Sequence, residues 1–253
     1  MNPSNLWRRA AVLGVLAVAC ALPAAAASLS FAGYTWDVRS GGGGPGPNTW
    51  DPRNVWVDDA GALHLLVTQR DGRWTAAEVT MTERLGFGTY QFQLQGRPDL
   101  LDRNLVLGLF NYPDPDQGVD GTNEIDIEYA QWGQAAADHG NWTIYPAVAG
   151  PKPLEKTFPI HLNGDRTTHR FTWSPTGVRF AALHGTQDIG SEQNPIDITS
   201  FTPRKPQRRI PQQALPVHIN FWLFKGRPPT DGQSVEMVVS SFRFVPAQAA
   251  LER

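Results

Sequence analysis

The chain has 253 residues, with 22 Lys and Arg against 24 Asp and Glu, giving a formal charge of −2. That length fits one large domain or two small ones, and the near-neutral balance gives no basis for nucleic-acid binding through counter-ion release. Charged residues at 18% and hydrophobic residues at 41% exclude wholesale disorder, while a lone cysteine, Cys20, excludes a disulfide framework and a cysteine metal site.

The first segment reads as a targeting signal. Arg8 and Arg9 precede an apolar run from Ala10 to Leu22, followed by Pro23 and the small residues Ala24 to Ala27. A positive start, a short apolar middle and a small-residue end predict a secretory signal over residues 1–27, cut near Ala27, with residues 28–253 as the exported domain. The apolar run is shorter than the ~20 residues that cross a bilayer. A twin-arginine signal and lipidation at Cys20 fit the flanking residues less well. The expected location is secreted or periplasmic, with no membrane contact after the signal is removed.

Ser40 to Pro47 (SGGGGPGP) is a low-complexity stretch that lacks the Lys-Ser/Thr of a phosphate loop and reads as a flexible surface loop. Beyond it the hydrophobic period is two. Ala62–Thr68 and Trp74–Thr80 flank Asp71-Gly72, a hairpin signal because Gly tolerates positive φ. Further strands are predicted at Gly88–Leu94, Asn104–Phe110, Glu124–Tyr129, Thr168–Trp173, Val178–Leu183, Val217–Phe224 and Val235–Val245. Asn194–Pro216, with several prolines and the basic cluster Arg204, Lys205, Arg208 and Arg209, reads as a solvated loop. No stretch has the length and period of an amphipathic helix. Counts of 24 Gly, 21 Pro, 9 Trp, 5 Tyr and 12 Phe suit a turn-rich sandwich. The predicted fold is all-β, an antiparallel two-sheet sandwich in a single domain.

Chemistry concentrates in Asn123-Glu124-Ile125-Asp126-Ile127-Glu128-Tyr129. On a strand, Glu124, Asp126 and Glu128 share one face, and Ile125, Ile127 and Tyr129 the other. On a helix, at ~100° per residue, Asp126 would lie opposite both glutamates. Three like charges in a row repel, and acids are depleted in strands, so the arrangement points to a use. At about 3.3 Å per residue the Glu124 and Glu128 Cα atoms lie ~13 Å apart. Side chains leaning together then approach the ~5–5.5 Å carboxyl separation of retaining glycosidases. An exposed acidic face or a cation site are the competing readings, but ligands along one straight strand do not wrap a cation.

This segment resembles the active-site strand of glycoside hydrolase family 16, the lichenase, laminarinase and xyloglucan-transglycosylase family. Its Glu-x-Asp-x-Glu spacing is similar to the lichenase-like and transglycosylase-like branches. Weaker likenesses follow in the family's order: Trp36–Arg39, Gly61–Leu65, Gly86–Tyr90, Leu107–Tyr112, His169–Gly177 and His218–Trp222. The resemblance implies a β-jelly-roll with a concave substrate cleft, with Glu124 as nucleophile, Asp126 as assisting carboxylate and Glu128 as acid/base. It implies no cofactor. Some members hold a structural Ca²⁺ away from the cleft, and no clear site for one shows in the sequence.

Sugar rings stack on aromatic faces. Trp132, just past Glu128, and Tyr112 and Phe110, beside the catalytic strand, are expected to offer such faces. The resemblance adds Asn220, Trp222, Tyr145 and Trp142 as substrate-facing residues, and Arg84 and Asn123 are expected partners of the acids. His169 is expected to be structural, and the six histidines show no metal-ligand spacing. The expected activity is an exported, monomeric endo-β-glucanase acting on β-1,3-1,4- or β-1,3-glucan. A transglycosylase on the same scaffold and a non-catalytic glycan-binding lectin are the alternatives.

Overall fold

A computed structural model describes residues 27–248. The predicted signal, apart from Ala27, lies outside the described residues. Two eight-stranded sheets face each other, and every pairing between their strands is antiparallel. The first sheet runs Ser28–Phe31, Tyr34–Val38, Ala77–Leu85, Leu215–Leu223, Leu105–Asn111, Glu124–Ala130, Gly140–Tyr145, Leu154–Phe158. The second runs Pro195–Phe201, Gly177–His184, Arg166–Ser174, Gly88–Gln95, Val235–Pro246, Leu63–Arg70, Val55–Val57, with Arg73–Thr75 also paired to Leu63–Arg70. This is the antiparallel two-sheet sandwich expected from the alternating apolar pattern, and it agrees with the β-jelly-roll that the resemblance implied. Among the described residues the helices are a single α-turn, Pro206–Arg209, and three 3₁₀ turns, and no helix is long and apolar enough to cross a membrane.

Alternation puts one face of each strand into a shared core. Trp36, Tyr90, Phe92, Ile125, Ile127, Tyr129, Phe171, Trp173 and Phe180 are all buried there. Tyr90 stacks on Phe171 at 4.5 Å, and Trp142 on Phe180 at 5.3 Å. His169 belongs to this interior: it bonds the Tyr129 hydroxyl and, through Nε2 at 2.7 Å, Thr167 Oγ1. Burial pushes its pKa down to about 3, so it is neutral and structural.

Three local expectations need correction. Trp74–Thr80 is two strands rather than one: Asp71 and Gly72 do form the turn, at φ 50° and 76°, but the chain changes sheets at Ala76. Arg73–Thr75 pairs with Leu63–Arg70 in the second sheet, and Ala77–Leu85 pairs with Leu215–Leu223 in the first. Pro195–Phe201 lies within the predicted loop yet is the edge strand on Gly177–His184. Ser40–Pro47 is exposed but fastened: Gly41–Gly43 pairs with Asn48–Trp50. Asn48 Nδ2 donates to Pro45 O at 2.7 Å and Leu223 O at 3.1 Å, while its Oδ1 accepts Leu223 N–H. A side chain at Gly226 would meet Pro47 at 2.9 Å, so this turn is packed closely against the segment after Leu223.

Candidate active site

The three acids stand on the outer face of Glu124–Ala130, a central strand of the first sheet. Their alternation with Ile125, Ile127 and Tyr129, all fully buried, fixes that face. Asn123 enters the strand at φ 55°, a left-handed position that Asn tolerates. Its Nδ2 donates to Gln117 O and Ala147 O, so it shapes the approach rather than bonding the acids. Register then sets the neighbours. Glu124 faces Tyr145, Asp126 lies between Phe110 and Thr143, and Glu128 lies between Gly108 and Asn141. Arg84, expected near the acids, instead pairs with Asp114 and Asp116.

All three carboxyls have raised pKa values. Burial is the largest cause in each case. It pushes Glu124 up to about 8, where the charge of Glu128 adds to it, and Glu128 up to about 7. Asp126, only 3% exposed, is raised well above the carboxylate range by burial and by the charges on either side. Contact between Asp126 and Glu124 acts in opposite directions on the two, raising the former and lowering the latter, so a proton shared between them favours Asp126. The three carboxyls therefore titrate as one set that retains protons at neutral pH, with the Asp126 contact favouring the ionised form of Glu124.

The acids line a cleft of about 670 Å³. Tyr112, Trp132, Tyr145, Asn220 and Trp222 all line the same cleft, as does Phe110. Trp132 is half-buried, with its ring 6.5 Å from Trp222 and 5.6 Å from Phe224, and its Nε1 donates to Asn141 Oδ1 at 3.1 Å. Tyr112 donates to Asp120 at 3.1 Å. Asn220 is 4% exposed, and its Oδ1 has no protein partner among the described residues. Tyr145 feels the charges of all three acids after burial, and both raise its pKa, so its phenol stays protonated. A smaller recess of about 180 Å³ continues past Glu128 between Asn141, Lys156 and Thr157.

Trp142 is corrected: it opposes Ile127 and is fully buried, stacked on Phe180 in the core. Sequence reading missed Glu78 and Arg39, which also line the cleft. Burial alone would raise the pKa of Glu78, but hydrogen bonds and charges from His218 and Arg39 outweigh it and hold the carboxyl below its usual value. An acid inside the largely apolar run Ala76–Met81 was the available signal for Glu78. Among the described residues, no group of three or more His, Cys, Asp or Glu side chains is placed to hold a metal ion.

A two-sheet jelly roll is also the fold of solved β-glucanase structures. No protein-family model matches the sequence, and no curated protein matches it. Among solved structures, a lichenase (β-1,3-1,4-glucanase) derived from a mouse hindgut metagenome superposes with a TM-score of 0.59 at 20% identity, covering 84% of this chain and 93% of that one. The Bacillus licheniformis β-glucanase gives 0.60 at 18% identity, with 84% and 92% covered. An immunostimulatory antigen and pseudo β-1,3-glucanase of Mycobacterium tuberculosis gives 0.62 at 22% identity, with 84% and 91% covered. At these identities the likeness is one of fold, and it agrees with the fold that the sequence resemblance implied.

Proposed function

We propose that this chain is an exported, monomeric, retaining endo-β-glucanase acting on β-1,3-1,4- or β-1,3-glucan. The observation that carries the reading is the trio Glu124, Asp126 and Glu128 on one strand face within an aromatic-walled cleft. Lichenase and β-glucanase activities among the structures of similar fold support the choice of substrate.

In the first step Glu128 gives its proton to the oxygen of the departing sugar as Glu124 attacks the anomeric carbon. The carbon–oxygen bond to the leaving group breaks and a glycosyl ester with Glu124 forms. Water then attacks the same carbon, Glu128 takes its proton, and the Glu124 carboxylate is released. Asp126 holds its proton toward Glu124, which steadies the carboxylate as it departs. Two displacements at one carbon retain the anomeric configuration.

Reducing-end release from a panel of purified polysaccharides tests the reading. Release from mixed-linkage or β-1,3-glucan, with the first-formed anomer retained by proton NMR, is the expected result. An inverted first product overturns the two-step scheme. Binding without release on any glycan assigns the cleft to a lectin, and oligosaccharide transfer without hydrolysis assigns it to a transglycosylase.

Gly108 provides an independent check. It lies between Asn220 and Glu128, and a Cβ there would sit 2.4 Å from Asn220 Oδ1. Gly108→Ala is expected to cost about 1–3 kcal/mol of stability through overpacking. By displacing Asn220 it should lower kcat/KM by about 10–100-fold. Thermal unfolding and initial rates measured on the same preparation separate the two effects.

A further inference from the structure

We infer that Arg39 is a specificity-determining residue at the far end of the cleft, where its guanidinium donates hydrogen bonds to hydroxyls of a neutral glycan several sugars from the cleaved bond. The inference rests on the glucanase reading above.

Strand register places Arg39 on the substrate path. Val38 pairs with Val79, and the Arg39 N–H continues that ladder to Glu78 O at 3.0 Å. Glu78 pairs with Asn220, Asn220 with Gly108, and Gly108 with Glu128. Arg39, Glu78, Asn220, Gly108 and Glu128 therefore form one transverse row across the face that carries the cleft. Arg39 lies four strand spacings from Glu128, about 19 Å at ~4.8 Å each. On the other side the row continues only through Asn141 and Thr157, about 10 Å. The cleft is therefore asymmetric, with Arg39 ending its longer arm.

The guanidinium is held ready. Its carbon sits 4.3 Å over the Trp50 ring, and Nη1 donates to Glu78 Oε2 at 2.8 Å. The Trp50 ring is fixed in turn by its Nε1 donating to Gly43 O at 3.2 Å. Glu78 is 5% exposed, whereas the Arg39 side chain keeps 33% of its surface. Its Nε and Nη2 have no protein acceptor among the described residues. A donor fork stacked on an aromatic ring and tied at one corner loses little freedom on binding a ligand.

Charge decides what it binds. Glu78, held ionised, neutralises Arg39 locally, and Asp120 lines the same cleft. Uronate- or sulfate-bearing chains would meet this acidic wall, whereas hydroxyl oxygens of a neutral sugar accept the open N–H groups without that penalty.

The test uses neutral β-gluco-oligosaccharides of increasing length. For the wild type, kcat/KM should climb with each added sugar until the chain reaches Arg39, then level. Arg39→Ala should lower kcat/KM on the longest chain by about 10–100-fold, the range for one lost hydrogen bond to a charged group, with a smaller loss on shorter chains, so that the long-to-short ratio collapses. An equal loss at every length, or no loss, overturns the inference. Calorimetry with Glu124→Gln, alone and combined with Arg39→Ala, reads the same ladder as affinity without turnover. Tighter binding of a carboxymethylated glucan than of the neutral chain also overturns it. If the affinity ladder depends on Arg39 while the wild type releases no sugar ends, the hydrolase reading falls and the Arg39 assignment stands.

Discussion

Glu124→Gln is expected to abolish release of sugar ends while the protein still binds the glycan. The substitution keeps the size of the side chain and an oxygen that accepts the Asp126 hydrogen bond, but an amide oxygen does not attack the anomeric carbon. Losing a covalent nucleophile costs turnover by about 10⁴-fold or more. The Trp132, Trp222 and Tyr145 surfaces around the cleft are untouched, so affinity for oligosaccharides should stay within a few-fold. A stronger form of the test uses Glu124→Ala with azide. The anion enters the space left by the carboxylate and attacks from the nucleophile's side, giving a glycosyl azide of inverted configuration. Recovery of that product places Glu124 on the attacking face. A Glu124→Gln variant that still releases reducing ends at a tenth of the wild-type rate would remove Glu124 from the reaction.

The acids were legible before any coordinates because their pattern carries a cost. Three carboxyls alternating with Ile125, Ile127 and Tyr129 fit a strand and no helix, and the repulsion between them needs a reason. Most strands were legible because period-two runs ended at turn residues. Pro195–Phe201 was not, since an edge strand beginning with Pro and carrying Asp197, Thr199 and Ser200 lacks a clean apolar face; its pairing is imposed by Gly177–His184. The sheet change at Ala76 was hidden because neighbouring apolar residues look alike whichever sheet they join. Trp142 was misplaced against a rule that was available: it lies three residues from Tyr145 on one strand, so the two face opposite sides. Tyr145 opposes Glu124 and Trp142 opposes Ile127. Arg39 and Glu78 reach the cleft only through the order of strands distant in sequence, information that no local pattern contains.

Glu128→Gln should trade activity for stability, with a dependence on pH whose sign follows from the buried carboxyl. In the unfolded chain a glutamate titrates near 4.3, whereas burial pushes Glu128 up to about 7 in the fold. The folded state therefore retains a proton that the unfolded state has lost, and stability falls as pH rises through that window. Below the unfolded pKa both states are protonated and the penalty vanishes. The glutamine is neutral throughout. Allowing for solvent reaching a half-buried side chain, the variant should gain about 1–2 kcal/mol at pH 8, or about 2–8 °C in Tm for a domain of this size, and almost nothing at pH 4. Activity moves the other way. Without the proton donor, kcat on a glucan should drop by about 10²–10⁴-fold. Formation of the glycosyl-enzyme from an aryl glycoside with a weakly basic leaving group should be nearly spared, because that group departs without protonation. The wild type should lose activity on the alkaline side near pH 7 as Glu128 gives up its proton, and the variant should lack that limb. Equal losses on both kinds of leaving group, or a Tm change that is the same at pH 4 and pH 8, would show that Glu128 is neither the acid nor a carboxyl held protonated by burial.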